Sequence, residues 1–515
     1  VTQLADWLNP LPDAEAMRAV DRWAIEHQHV PSLDLMERAG AGVARAVSSL
    51  VPDGPVAVIC GKGNNGGDGL VVARLLRESG RAVDVVCVVA PEELRGDPAE
   101  NLRRLPGAQP LALADSGARQ AIAQASVIVD ALLGTGFAGE PHGPVADAID
   151  QINETDRPVV AVDVPSGVDA STGVVAGRAV RAATTVTFHA AKPGLWIMPG
   201  KARVGRLETV DIGIPRGAPL SASVGLISAT VCELLPKRAR DSTKFASGQV
   251  LVAGGSRGLT GAPRMTSQAS MRAGAGYVIA CVPASLQEIL ASSATPELMT
   301  QGLEEQDGSF APAAVAGVLE KLRPGGALAL GPGLGRSDGA IVFARALAQQ
   351  ANAPIVLDAD GLNAHAGALA QLRARKAPTV LTPHAGELAR LLELDSEQIE
   401  RERLHHVRVA AERAAAIVVL KGDDTLIARP DGEVAVSRGG SPALATAGTG
   451  DVLTGVIAAL LAQGLDAFTA ASAGVFLHAA AGREASRRQG AAEGVIAGDV
   501  IDALPAARGG AGASR

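Results

Sequence analysis

Pro55-Val56-Ala57-Val58-Ile59-Cys60 runs straight into Gly61-Lys62-Gly63-Asn64-Asn65-Gly66-Gly67-Asp68-Gly69, and a helix-compatible segment over 70–79 follows. An unbroken aliphatic run reads as a strand buried on both faces, so this is strand, glycine loop and helix, the repeating unit of an open parallel sheet. Gly61, Gly63 and Gly66 satisfy GxGxxG. A dinucleotide fold of the usual kind also wants an acidic residue ending the next strand, and Asp84 falls inside the strand expected over 82–89. Lys62 is not followed by Ser or Thr, which excludes a Walker A loop. What is left is a glycine-rich anion loop with oxygen donors Asn64, Asn65 and Asp68; the same residues also suit a tight turn.

Outward from this loop, helices are expected near 11–24 and over 36–47, and three more strands end in polar residues. The run over 125–129 leads to Asp130 and Gly134-Thr135-Gly136-Phe137-Ala138-Gly139-Glu140. The run over 158–162 leads to Asp163 and Ser166, and that over 184–188 leads to His189 and Lys192. Ligands of such sheets bind beyond the carboxyl ends of the strands, so these groups should share one crevice. Their Asn, Asp and Ser oxygens suit a hard cation. Any single one of these carboxylates is more readily a loop cap than a site residue; four polar strand ends together are not.

The second half repeats the pattern. Strands expected over 249–253, 327–330, 355–357, 379–381 and 416–420 deliver loops containing Ala262, Gly333 and Gly335, Asp358 to Asn363, His384 and Glu387, and Lys421-Gly422-Asp423-Asp424-Thr425. The last loop is Ala447-Gly448-Thr449-Gly450-Asp451, opening an apolar helix. Free N–H groups at such a helix start face an anion, and Asp451 beside them is placed to take a proton from a hydroxyl attacking a phosphoryl group. Alone, Gly448 to Asp451 equally describe an ordinary capped turn. His384 has no second His or Cys at ligand spacing, which speaks against a metal and leaves a substrate hydrogen bond, favoured over a structural loop histidine. Glu387 either supports Mg²⁺ or water near a phosphate or opens a helix, where acidic residues are favoured in any case. The basic stretch 237–244 reads as a solvated loop or as a reach toward substrate phosphates.

A chain of 515 residues is too long for one core, and two large domains meeting near 218–223 are expected. Hydrophobic residues make up 47% with 60 glycines and only 2% aromatics, which favours α/β layers. A balance of 47 basic against 54 acidic residues, net −7, argues against a nucleic-acid or anionic-membrane surface. Cys60, Cys87, Cys232 and Cys281 are far apart without CxxC spacing and read as buried, reduced thiols. No signal-peptide pattern opens the sequence and no segment reaches 18 uninterrupted apolar residues, so a cytoplasmic protein is expected, with a frayed tail over 506–515.

GNNGGDG, DALLGTGF, AVDVPSGVDA, KPG and the closing Asp211-Ile212-Gly213-Ile214-Pro215 resemble the NAD(P)H-hydrate epimerase domain over roughly residues 10–217. The resemblance implies a Rossmann-like three-layer sandwich (1–220) that interconverts the R and S epimers at C6 of hydrated NADH or NADPH. It implies K⁺ held by Asn65, Asp130 and Ser166, and the dinucleotide held by Asn64, Asn65, Gly66, Gly67 and Asp68, by Gly134 to Glu140, and by Asp163. Asp163 is the choice for acid/base work, with Lys192 a second candidate. His189-Ala190-Ala191 departs from the small residues and proline usual before that lysine.

Gly254 to Ala262, GPGLG, DADGLN, TPHAGE, KGDDT and AGTGD resemble the ADP- or ATP-dependent NAD(P)H-hydrate dehydratase, a ribokinase-like domain (221–515). By motif, Ala262, Gly333, Gly335, His384 and Asp451 would contact the hydrated cofactor, and Lys421 to Thr425 with Gly450 the adenine nucleotide. Mg²⁺ is expected beside that nucleotide, and a homo-oligomer is expected. Two other readings stay open at this stage: a ribokinase-like kinase that releases a stable phosphorylated alcohol, and a first domain that senses dinucleotides without catalysis.

Overall fold

The computed structural model describes residues 4–293 and 295–510. It divides into two compact units, Pro10–Val224 and, joined to Leu4–Asn9, the chain from Gly225 onward. Each is α/β.

In the first unit, strands β1 (Val56–Cys60), β2 (Val83–Cys87), β3 (Leu111–Ala112), β4 (Val127–Ala131), β5 (Val159–Val162), β6 (Thr184–Phe188) and β7 (Arg206–Val210) form one sheet. Their order is β3-β2-β1-β4-β5-β6-β7 and every pairing is parallel. The chain reverses direction across the sheet between β1 and β4, the topological switch point at which crevices open. Helices α1 (Ala14–Arg22), α2 (Ser32–Leu50), α3 (Asn64–Glu78), α4 (Ser116–Gln124) and α5 (Gly143–Asn153) flank it. Alternation along β1 splits the core as period-2 pleating requires: Val56, Val58 and Cys60 pack with Val43, Val47 and Leu76, while Ala57 and Ile59 pack with Ile122, Ile149 and Ile152. At roughly 1.5–3 kcal/mol for each fully buried Val or Ile, this two-sided burial is why the strands read as plain aliphatic runs.

In the second unit, strands β8 (Val224–Ile227), β9 (Gln249–Ala253), β10 (Tyr277–Pro283), β11 (Met299–Leu303), β12 (Ala327–Leu330), β13 (Ile355–Leu357), β14 (Thr379–Leu381), β15 (Ile417–Leu420), β16 (Leu426–Ala428) and β17 (Val434–Val436) build a second sheet. Its order is β8-β17-β16-β15-β14-β13-β12-β9-β10-β11, with the short strand Leu8–Pro10 outside β8. From β15 to β11 the pairings are parallel, and β16 and β17 turn antiparallel. Helices α6 (Gly261–Arg272), α7 (Ala385–Leu392) and α8 (Thr449–Ala462) carry the loops of interest, and α9 (Ala467–Gln489) and α10 (Ala497–Gly510) follow. Gly455 lets α8 cross α6 closely, because a Cβ there would sit 2.2 Å from the Thr266 carbonyl oxygen.

Two expectations change. Residues 506–510 are not frayed but finish α10, because Ala503, Leu504 and Ala507 are buried on the core side; 511–515 lie outside the described residues. Asp130 does not follow its strand but stands inside β4, fully buried. All four cysteines are free and buried. Among the described residues, no helix is long and apolar enough to cross a membrane.

Candidate active sites

In the first unit, β1 ends where α3 begins, and glycine makes the junction possible: a Cβ on Gly61 would lie 2.0 Å from the Leu132 carbonyl oxygen, and one on Gly66 2.0 Å from that of Gly61. Asn64, Asn65, Gly66 and Gly67 form the first turn of α3; the Gly67 N–H donates to the Gly63 carbonyl at 3.1 Å, and the N–H groups of Asn64, Asn65 and Gly66 ahead of it are open to an anion. Across the switch point, Asp130 accepts from the Ser166 N–H (2.8 Å) and hydroxyl (2.6 Å). The Ser166 oxygen in turn accepts from the Leu133 N–H at 2.9 Å. Burial pushes the Asp130 carboxyl up to about 6 against these bonds. The Asn65 amide nitrogen is buried without a partner. A half-turn of that amide exchanges its two ends, and the set of amide, carboxylate and hydroxyl oxygens then fits a hard cation.

Asp163 stands just past β5 in a left-handed conformation, φ +64°, a strained state for a residue with a side chain. Its Oδ1 accepts from Lys192 Nζ at 2.6 Å and from the Thr187 hydroxyl at 3.1 Å; its Oδ2 accepts from the Thr135 N–H at 3.2 Å and from the Thr135 hydroxyl. Lys192 also donates to Thr187 Oγ1 (2.8 Å) and to the Phe188 carbonyl (3.2 Å), and is 1% exposed. Burial alone would raise the Asp163 carboxyl, but the Lys192 charge and the three donors outweigh it and hold it below the ordinary range. Asp68 moves the other way, well up, through burial and the nearby charges of Asp163 and Asp21. Asp21 on α1 is raised by burial, with Lys192 opposing. Around a single lysine, the Asp163 carboxyl is thus shifted down and those of Asp68 and Asp21 up. Along the 134–140 loop, Gly136, Ala138, Gly139 and Glu140 are exposed and Phe137 is half-buried.

In the second unit, Gly448 (φ +89°) turns the chain into α8, and Asp451 lies in the first turn. Lys421 Nζ donates to Asp358 Oδ1 at 2.9 Å and lies 3.6 Å from Glu387 Oε2. The other Asp358 oxygen accepts from the Thr454 hydroxyl at 2.7 Å. A Cβ on Gly450 would sit 3.6 Å from Lys421 Nζ, so the lysine reaches the start of α8. Burial, with Asp358 and Glu387 adding to it and Lys421 opposing, pushes the Asp451 carboxyl up to about 7. That value leaves it equally able to hold or to accept a proton near neutrality.

Glu387 closes the start of α7: its Oε2 accepts from the His384 N–H (2.9 Å), while His384 Nδ1 accepts from the Gly386 N–H (3.0 Å). The exposed His384 ring holds Nε2 3.6 Å from Glu387 Oε2. Ala262 and Gly333 adjoin, since a Cβ on Gly333 would lie 3.2 Å from that of Ala262, and the Gly335 N–H donates to Asp360 at 3.0 Å. In the 421–425 turn, Thr425 Oγ1 donates to the Gly422 carbonyl at 2.6 Å. Gly422 and Asp423 are exposed, whereas Asp424 turns inward to a buried ion pair with Arg403 at 2.9 Å. Asp21, Thr187, Thr454 and Arg403 were not singled out from sequence, and Asp358 entered only as the first residue of its loop. Only Asp358 carried a signal, standing at a strand end inside DADGLN. Among the described residues no group of three or more His, Cys, Asp or Glu is placed to hold a metal ion.

The two sites define a two-domain α/β enzyme, with a dinucleotide-type crevice in one unit and a phosphoryl-transfer-type helix start in the other. Residues 250–506 match the family described as NAD(P)H-hydrate dehydratase, and residues 32–194 the one described as YjeF-related protein N-terminus. The chain is 42% identical over 509 residues to the bifunctional NAD(P)H-hydrate repair enzyme Nnr of Moorella thermoacetica, covering 96% of each. It is 40% identical over 527 residues to the enzyme of the same name from Salinibacter ruber, covering 96% of this chain and 95% of that one. A solved ADP/ATP-dependent NAD(P)H-hydrate dehydratase from Bacillus subtilis is 28% identical, covering 55% of this chain and 96% of that one, with a TM-score of 0.47. The chain belongs to the family of bifunctional NAD(P)H-hydrate repair enzymes.

Proposed function

We propose that the chain repairs hydrated NADH and NADPH, the Asp163 site interconverting the R and S epimers at C6 and the Asp451 site returning the S epimer to the intact cofactor. The observation that carries this reading is the presence, in one chain, of two separate carboxylate–lysine clusters beyond strand ends: Asp163 with the buried Lys192, and Asp358 with Lys421 beside the helix start that carries Asp451. In the first, Asp163 exchanges a proton at the damaged ring while Lys192 holds the carboxylate in place. Asn65, Asp130 and Ser166 would hold K⁺, which would supply a fixed positive charge for the substrate. In the second, Asp451 takes the proton of the C6 hydroxyl and that oxygen attacks the terminal phosphoryl group of ADP or ATP, breaking its bond to the bridging oxygen and releasing AMP or ADP. N–H groups at the start of α8 and the Lys421 charge stabilise the transferring group. The ring-nitrogen lone pair then expels phosphate from C6 and a ring proton is lost, restoring NAD(P)H. Ala262, Gly333, Gly335 and His384 line the hydrated ring's side, and Gly422, Asp423 and Thr425 with Gly450 the nucleotide's, Asp424 being taken up by Arg403. Mg²⁺ would sit on the donor's phosphates and water, with Glu387 or Asp358 as its carboxylate; one or two such ligands are usual for this ion.

Incubating the chain with separated R and S hydrates, ADP or ATP, Mg²⁺ and K⁺ tests this. Both epimers should disappear and the reduced-ring absorbance should return. A phosphorylated product that accumulates without that absorbance would refute it.

A further inference from the structure

The first unit holds a second opening that none of the site residues described above line. A cavity of about 880 Å³ lies past the carboxyl ends of β2 and β3, walled by α4 and α5, within the usual range for a ligand site. We propose that it takes the adenine end of the dinucleotide whose damaged ring lies at Asp163, an inference that rests on the first unit acting on a hydrated dinucleotide.

Position argues first. Asp163 and Lys192 follow β5 and β6, whereas the cavity follows β2 and β3, about four strand spacings away, or roughly 19 Å at ~4.8 Å each. The glycine-rich start of α3, after β1, falls between them. Ring, pyrophosphate and base of an extended dinucleotide thus meet the carboxylate–lysine pair, the anion loop and the cavity in that order across the switch point.

Chemistry argues second. Val88 and Leu113 give the cavity apolar surface for a flat ring, and Gln120 and Gln151 bring two side-chain amides to it. Gln151 Oε1 is buried and has no hydrogen-bond partner. A buried acceptor left open calls for a donor, and an exocyclic amino group beside a ring-nitrogen acceptor is the pattern that a glutamine amide reads on adenine. Arg119 at the same cavity offers a cation for a phosphate on the adjoining ribose.

The test compares epimerisation of hydrated NADH with that of hydrated reduced nicotinamide mononucleotide, which carries the same ring without the adenosine, using the full chain. The wild type should prefer the dinucleotide in kcat/KM, and Gln151→Leu and Gln120→Leu should each lower that preference about tenfold, the scale of one lost hydrogen bond to the base. Equal kcat/KM for both substrates in the wild type, or an unchanged preference in both variants, would overturn the proposal while leaving the epimerase reading standing. A wild type that epimerises neither substrate would instead remove the epimerase reading, and this one with it.

Discussion

Lys192 and Asp163 meet as an ion pair closed off from solvent, Nζ to Oδ1 at 2.6 Å, with Thr187 bridging both. A buried pair is costly to break from one side, because the remaining charge is stranded. Lys192→Met should therefore destabilise the first unit by about 3–5 kcal/mol, read by denaturant unfolding, and adding Asp163→Asn should recover part of the loss. The sign with pH follows from the depressed Asp163 carboxyl: its stabilisation is present above the unfolded carboxylate value and is lost as pH falls through the folded one.

Asp163→Ala should abolish epimerisation, with kcat down by about 10²–10⁴, and leave dehydration of the S epimer intact. Chiral chromatography of the two hydrates checks both halves, and epimerisation that persists would remove Asp163 from its role.

Asp451 is raised to about 7, so dehydration should rise with pH through that value as the base form appears. The stability sign is opposite: a raised carboxyl stabilises at low pH and that contribution is lost as pH rises through about 7. Asp451→Asn should thus cut kcat for dehydration by about 10²–10⁴ yet unfold later than wild type at pH ~8, by at most a few kcal/mol. Parallel activity and melting curves decide it.

The oxygen set of Asn65, Asp130 and Ser166 predicts that epimerisation needs K⁺ and that Asp130→Asn raises the K⁺ concentration for half-activation by at least about tenfold. Titrating KCl at constant ionic strength, with Li⁺ as the substitute, measures this; equal rates in both salts would count against the site.

Gly448 adopts φ +89°, and a Cβ there would lie 2.6 Å from Met265 Sδ. Gly448→Ala should cost about 1–3 kcal/mol through strain and displaced packing, and should lower dehydration while sparing epimerisation. A thermal-shift assay with both activities followed would show it.

What sequence revealed and what it hid divide along physical lines. Strand-to-loop junctions were legible because buried parallel strands leave aliphatic runs that stop abruptly at glycine, as at Cys60–Gly61 and Leu330–Gly331. The partners that tune the sites were not, because they meet only on folding: Asp358 finds Lys421 across 63 positions, and Asp21 reaches the Asp163 cluster from the first helix. Asp424 shows the converse. Its neighbours in KGDDT look like one polar loop, yet Arg403, 21 positions away, draws that carboxylate into the interior.

The short strand Leu8–Pro10 lies at the outer edge of the second unit's sheet, while the whole of Pro10–Val224 is the first unit. On the ribosome, then, the earliest piece of the second unit must wait through the making of the entire first unit before its neighbour β8 emerges. The first unit can fold during that wait, and the second closes its edge last. A gene cut between the two activities would give a dehydratase half born without Trp7, whose ring packs at 5.5 Å against Phe468.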